Sequence, residues 1–147
     1  SQLLKQLQDN KVDFVIDTSP IDSIYSNLEI QELFDLENCF ISANKEDIYS
    51  LEELQDKKLI LPVRTSTPRK LLNEFLESKN IYLQPTMTIE ATEMLKNAVI
   101  EGMGIGYILE LAVKKEIENG TLFKLDIGQE LPKLKLNLIY TKAIRYI

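Results

Sequence analysis

The sequence predicts an α/β fold with mainly parallel sheets. Apolar runs of strand length alternate along the chain with segments whose apolar residues recur at helical spacing. Hydrophobic residues make up 44% of the 147 residues and charged residues 27%, the balance of an ordinary globular domain or two small lobes. Parallel sheets of this kind take ligands at the carboxyl ends of their strands, beside helix N-termini.

Each element has a local reason. "QLLKQLQ" (2–8) sets Leu3, Leu4 and Leu7 on one helical face, and "VDFVID" (12–17) reads as a short buried strand. "TSPIDS" (18–23) is loop-like, with Pro20 as a breaker. "LFDLENCFISA" (33–43) reads as one long or bent strand, and "NKED" is a polar break. Ser50 and Glu53 have the spacing of a capping box, so a short helix is expected there. "KLILPV" (58–63) is an apolar strand. Thr67 as N-cap and Pro68 at the first helical position start a helix with Leu71, Leu72, Phe75 and Leu76 on one face, ending near Asn80.

"YLQPTMTI" (82–89) contains a short strand. Ala91, Met94, Leu95, Ala98 and Val99 follow helical spacing, and Gly102 closes that helix. "GIGYIL" (104–109) is a strand, and "ELAVKKEIENG" (110–120) is a helix closed by Asn119 and Gly120. "TLFKLDI" (121–127) and "KLKLNLIYTK" (133–142) are strands; in the last, Leu134, Leu136, Leu138 and Tyr140 alternate with polar or smaller residues.

Composition narrows the chemistry. The net charge is −6, which repels phosphate backbones and argues against nucleic-acid binding by these residues. No apolar run approaches the roughly 20 residues that span a bilayer, so no membrane partner is expected. Cys39 is the single cysteine, cannot form an internal disulfide, and reads as a buried small hydrophobe. There is no histidine. Histidine-based nucleophilic sites and histidine-ligated metal sites are therefore excluded, and neither a cofactor, a metal nor a catalytic set is expected.

Gly102, Gly104 and Gly106 stand at alternate positions in "IEGMGIGYIL". A dinucleotide fingerprint needs a strand, then G-x-G-x-x-G, then a helix. Here a helix precedes the glycines and a strand follows, so nucleotide binding is rejected. Gly104 and Gly106 share a strand face and leave it bare. Either a packed helix or a ligand can approach there.

"LLKQLQDNKVDFVID", "SLEELQDKKLILP", "TSTPRKLLNEFL", "NAVIEGMGIGYIL" and "KKEIENGTLFKLDI" together resemble the effector-binding domain of LysR-type transcriptional regulators, in order and spacing over nearly the whole chain. The family's usual Leu-Pro after the glycine strand is Ile108-Leu109 here.

The resemblance implies a two-lobed fold like that of type 2 periplasmic binding proteins, with a small-molecule site in the cleft. It implies an incomplete fragment, lacking an N-terminal helix-turn-helix, the first strands of lobe I and a final helix. Lobe I would hold 1–46 and 126–147, and lobe II would hold 47–125. At the cleft, Arg64, Thr65, Ser66 and Thr67 would offer a cation, hydroxyls and a helix N-terminus to an anion. Glu90 would accept from an amine or hydroxyl, Asp17 and Thr18 would face the cleft from lobe I, and Gly104 and Gly106 would floor it.

The implied partners are a small effector, a second copy in a homodimer or homotetramer, and DNA through the absent helix-turn-helix alone, in the cytoplasm. A transporter's solute-binding protein shares the fold and is the alternative. An enzyme on the same fold would need a catalytic set that this histidine-free chain does not offer.

Overall fold

The computed structural model describes residues 2–18 and 27–141. The expected loop at 18–23 lies, beyond Thr18, outside the described residues, as does Lys142 at the end of the last strand. The chain divides into two compact units, one of residues 1–35 and 134–147, the other of residues 36–133. The expected lobe boundaries fall elsewhere, at 46/47 and 125/126. The difference at the first boundary comes from one strand, Asn38–Ser42, which pairs within the second unit.

In the first unit, α1 (Gln2–Gln8) packs on a three-stranded sheet of order β1-β8-β2. Its strands are β1 (Phe14–Asp17), β2 (Leu28–Leu36) and β8 (Leu134–Thr141). β1 and β8 are antiparallel, with Phe14 opposite Tyr140 and Asp17 opposite Asn137. Leu4 and Leu7 of α1 bury against Val15, Leu28 and Ile139, whereas Leu3 is exposed. α1 covers one face of β1 and β8. The alternation Leu134, Leu136, Leu138, Tyr140 marks the other face; the covered face carries Asn137 and Ile139.

The second unit has a five-stranded sheet of order β5-β4-β6-β3-β7. The strands are β3 (Asn38–Ser42), β4 (Leu59–Pro62), β5 (Met87–Ile89), β6 (Ile105–Leu109) and β7 (Phe123–Lys124). β5, β4 and β6 are parallel, but β3 runs antiparallel to both β6 and β7. The sheet is thus mixed rather than mainly parallel.

Strand alternation splits the core into two layers. Phe40, Leu59, Leu61 and Tyr107 point toward α2 (Thr67–Ser78), where Leu72 and Leu76 meet them. Cys39, Ile41, Ile60 and Ile108 point toward α3 (Thr92–Ile100), where Leu95, Ala98 and Val99 meet them. Met94 of α3 is exposed, so the expected apolar face is narrower than the sequence suggested.

Local signals account for the helix ends. Ser50 and Glu53 do form a capping box: each backbone N–H donates to the other's side chain, at 3.0 and 3.4 Å. The turn that follows is a short 3-10 helix, Glu52–Asp56. Gly102 closes α3 at φ +80°, a conformation costly to any side chain. The segment expected as one helix at 110–120 divides into a 3-10 turn and α4 (Lys114–Glu118). Among the described residues no helix is long and apolar enough to cross a membrane.

Candidate functional site

The parallel strands fix where a ligand could meet backbone donors. Pro62 pairs with Ile89, so β4 and β5 end side by side. The chain leaves β4 into residues 63–66 and turns into α2; it leaves β5 at Glu90 and turns into α3. Arg64, Thr65, Ser66, Thr67 and Glu90 therefore belong to one edge of the sheet. Arg64, Thr65 and Glu90 are exposed there.

The first turn of α2 is built tightly. Ser66, not Thr67, is the N-cap: its φ is −74° and its ψ 148°. Its hydroxyl accepts from Arg69 N–H at 3.3 Å and donates to the Val63 carbonyl at 2.9 Å. The hydroxyl counted as a ligand donor is thus engaged by the fold. Thr65 is exposed beside it, and Arg64 carries the charge. No acid lies in the first turn of α2, and the helix end is itself positive.

Arg69 is the residue that the sequence reading missed. It is 3% exposed. Its Nη1 donates to the Pro62 carbonyl at 2.7 Å and its Nε to Asn73 Oδ1 at 3.2 Å, clamping α2 to the end of β4. Burial first, and the charge of Arg64 second, lower the pKa of this guanidinium. The signal was present in the sequence: residues 69, 72 and 76 share the buried helical face.

The glycines fall elsewhere. Gly104 precedes Ile105, which pairs with Leu59 at the start of β4, so it lies at the amino edge, opposite the carboxyl edge. A Cβ on it would meet the Lys58 carbonyl oxygen at 2.8 Å. Gly106 is mid-sheet, and a Cβ there would meet Val99 Cγ2 at 2.5 Å and Leu95 Cδ2 at 3.0 Å. Close packing, of β4 on Gly104 and of α3 on Gly106, explains both glycines. Neither floors a cleft at the carboxyl edge.

Asp17 and Thr18 lie at the end of β1 in the first unit, where Thr18 N–H donates to Asp17 Oδ1 at 2.8 Å. Cys39 is buried, and desolvation with Glu110 pushes its thiol up to about 12. Among the described residues no cluster of three carboxylate or cysteine side chains could hold a metal ion.

The model of the LysR substrate binding domain matches residues 1–144. The chain is 31% identical over 150 residues to the HTH-type transcriptional activator CmpR of Synechocystis sp., covering 97% of this chain and 48% of CmpR. It is 25% identical over 121 residues to the HTH-type transcriptional regulator CysL of Bacillus subtilis, covering 79% of this chain and 40% of CysL. The chain thus spans less than half of each of these relatives. Among solved structures, the regulatory domain of Synechocystis CcmR in complex with 2-PG superposes with a TM-score of 0.80 at 20% identity, covering 96% of this chain and 69% of that one. The bromide-bound regulatory domain of HypT from Salmonella typhimurium gives 0.76 at 23% identity, covering 96% and 68%.

Proposed function

The chain belongs to the LysR substrate binding domain family, and from that premise we propose that it senses a small anionic or zwitterionic metabolite at the carboxyl edge of β4 and β5. The observation that carries the site is the pairing of Pro62 with Ile89, which groups Arg64, Thr65, the positive end of α2 and Glu90. A carboxylate or other oxyanion would take the Arg64 guanidinium and the Thr65 hydroxyl beside the positive end of α2. An ammonium on the same ligand would take Glu90.

Binding would favour one arrangement of the lobes, or of paired subunits in a dimer or tetramer. That shift would bias DNA contacts made by a helix-turn-helix outside these residues, in the cytoplasm. The domain would bind its effector without turning it over.

The test is calorimetric titration of the intact regulator with a panel of carboxylates, oxyanions and amino acids. A ligand should saturate one site. Glu90→Gln should weaken a zwitterion about tenfold or more and a simple anion little. A ligand whose affinity is indifferent to substitution of Arg64, Thr65 and Glu90 alike sinks the assignment.

A further inference from the structure

A second cavity opens along the flank of α2. It has a volume of about 490 Å³ and lies between α2 and the segment 80–85. Leu76, Ile81 and Leu83 give it an apolar wall, and Arg64 and Arg69 give it a cationic one.

The cationic wall is chemically incomplete. Arg69 is buried, yet among the described residues both hydrogen bonds of its side chain go to neutral acceptors, the Pro62 carbonyl and Asn73. Among the described residues no carboxylate pairs with it. Among the described residues Glu77 is the one carboxylate lining the cavity. It stands about 12 Å further along the helix axis, from the rise of an α-helix. Arg64 adds a like charge, and the positive end of α2 adds another. A buried cation is costly unless an opposite charge meets it, so a guanidinium held this way suits an anion arriving from outside the chain. The guanidinium has five N–H donors, and Nε and Nη1 are the atoms engaged.

We propose that this cavity is a second ligand site, for a small organic anion whose carboxylate or phosphate meets Arg64 and Arg69 while its apolar body lies against Leu76, Ile81 and Leu83. The site shares Arg64 with the carboxyl edge but uses neither Thr65 nor Glu90. Anions at the two places would compete for Arg64.

These 147 residues include no tryptophan, and Tyr82 is an exposed residue on the cavity rim. Tyr82→Trp therefore places a single fluorescent reporter at the site. The reporter protein is titrated with butyrate and, separately, with inorganic phosphate, at constant ionic strength and with chloride as the control. The expected result is a saturable emission change in the millimolar range or tighter. Saturation by butyrate identifies a carboxylate ligand, and saturation by phosphate a phosphoryl ligand.

Arg69→Gln and Arg64→Gln should each weaken the response about tenfold or more, the scale of one lost charge-assisted hydrogen bond. Thr65→Val should leave it unchanged. Circular dichroism checks that each variant folds; if Arg69→Gln does not, Arg64→Gln with the Thr65→Val control decides. A response that never saturates, that chloride reproduces, or that survives the arginine substitutions overturns the proposal. Loss of the response in Thr65→Val overturns it as well, by assigning the anion to the carboxyl edge.

Discussion

Replacing Gly106 by alanine tests whether the glycine pair serves packing or ligand access. The added Cβ would stand 2.5 Å from Val99 Cγ2 and 3.0 Å from Leu95 Cδ2. Carbon atoms in favourable contact are about 3.5–4.0 Å apart, so Val99 must retreat by about 1 Å. Val99 is fully buried and β-branched, and in a helix its χ1 is nearly fixed. The side chain cannot rotate away, and α3 itself has to shift. Overpacking of this kind costs about 1–3 kcal/mol. Alanine also restricts the unfolded chain, which returns about 0.4–1 kcal/mol. The net loss is about 1–2 kcal/mol, or about 2–8 °C in Tm for a chain of this size. Urea unfolding followed by circular dichroism reads it. Val99→Ala makes room for the new methyl group, so the double variant should be more stable than the sum of the single changes by about 1 kcal/mol. A neutral or stabilising Gly106→Ala, or strict additivity with Val99→Ala, refutes the packing account.

Two further outcomes follow from the site's construction. Ser66→Ala should cost about 1 kcal/mol through the lost cap, since the Ser66 hydroxyl serves both Arg69 N–H and the Val63 carbonyl; Thr67→Ala, one residue inside the helix, should cost less, and equal losses in thermal unfolding would displace Ser66 as the cap. Cys39 should make the protein alkali-sensitive: its folded pKa is raised from the ordinary 9.0 to about 12, so the neutral thiol's contribution is complete below pH 9 and is lost as pH rises toward 12. Stability should fall over that window by up to about 1.4 kcal/mol per pH unit from this group, and Cys39→Ala should flatten the slope; an unchanged slope contradicts the assignment.

Much of the fold was legible because its causes are local. The capping box at Ser50 and Glu53, the helical spacing of Leu72 and Leu76, and the left-handed Gly102 each depend on neighbours in sequence. Strand direction does not. Nothing in "NCFIS" says that β3 will run antiparallel to β6, because that follows from how distant segments cross. The same holds for Gly104, whose place at the amino edge is set by the register of Ile105 on Leu59.

The apolar alternation of β8 marks the face away from α1, because the face under α1 carries Lys135, Asn137 and Thr141 beside Ile139 and shows no apolar period. Ser66 and Thr67 are both competent caps, and only backbone angles separate them. Arg69 was legible in principle from its helical phase with Leu72. Its charge hid it, since a charged residue is normally assigned to the solvent face.

Whether the effector meets the carboxyl edge of β4 and β5 is read by amide chemical-shift mapping of the isotope-labelled protein. With the ligand found by titration bound to saturation, the largest shifts should fall in residues 64–69 and 90–92 and small ones in residues 58 and 102–105 at the opposite edge. Shifts concentrated at residues 102–105, with residues 64–69 and 90–92 unmoved, would contradict binding at the carboxyl edge.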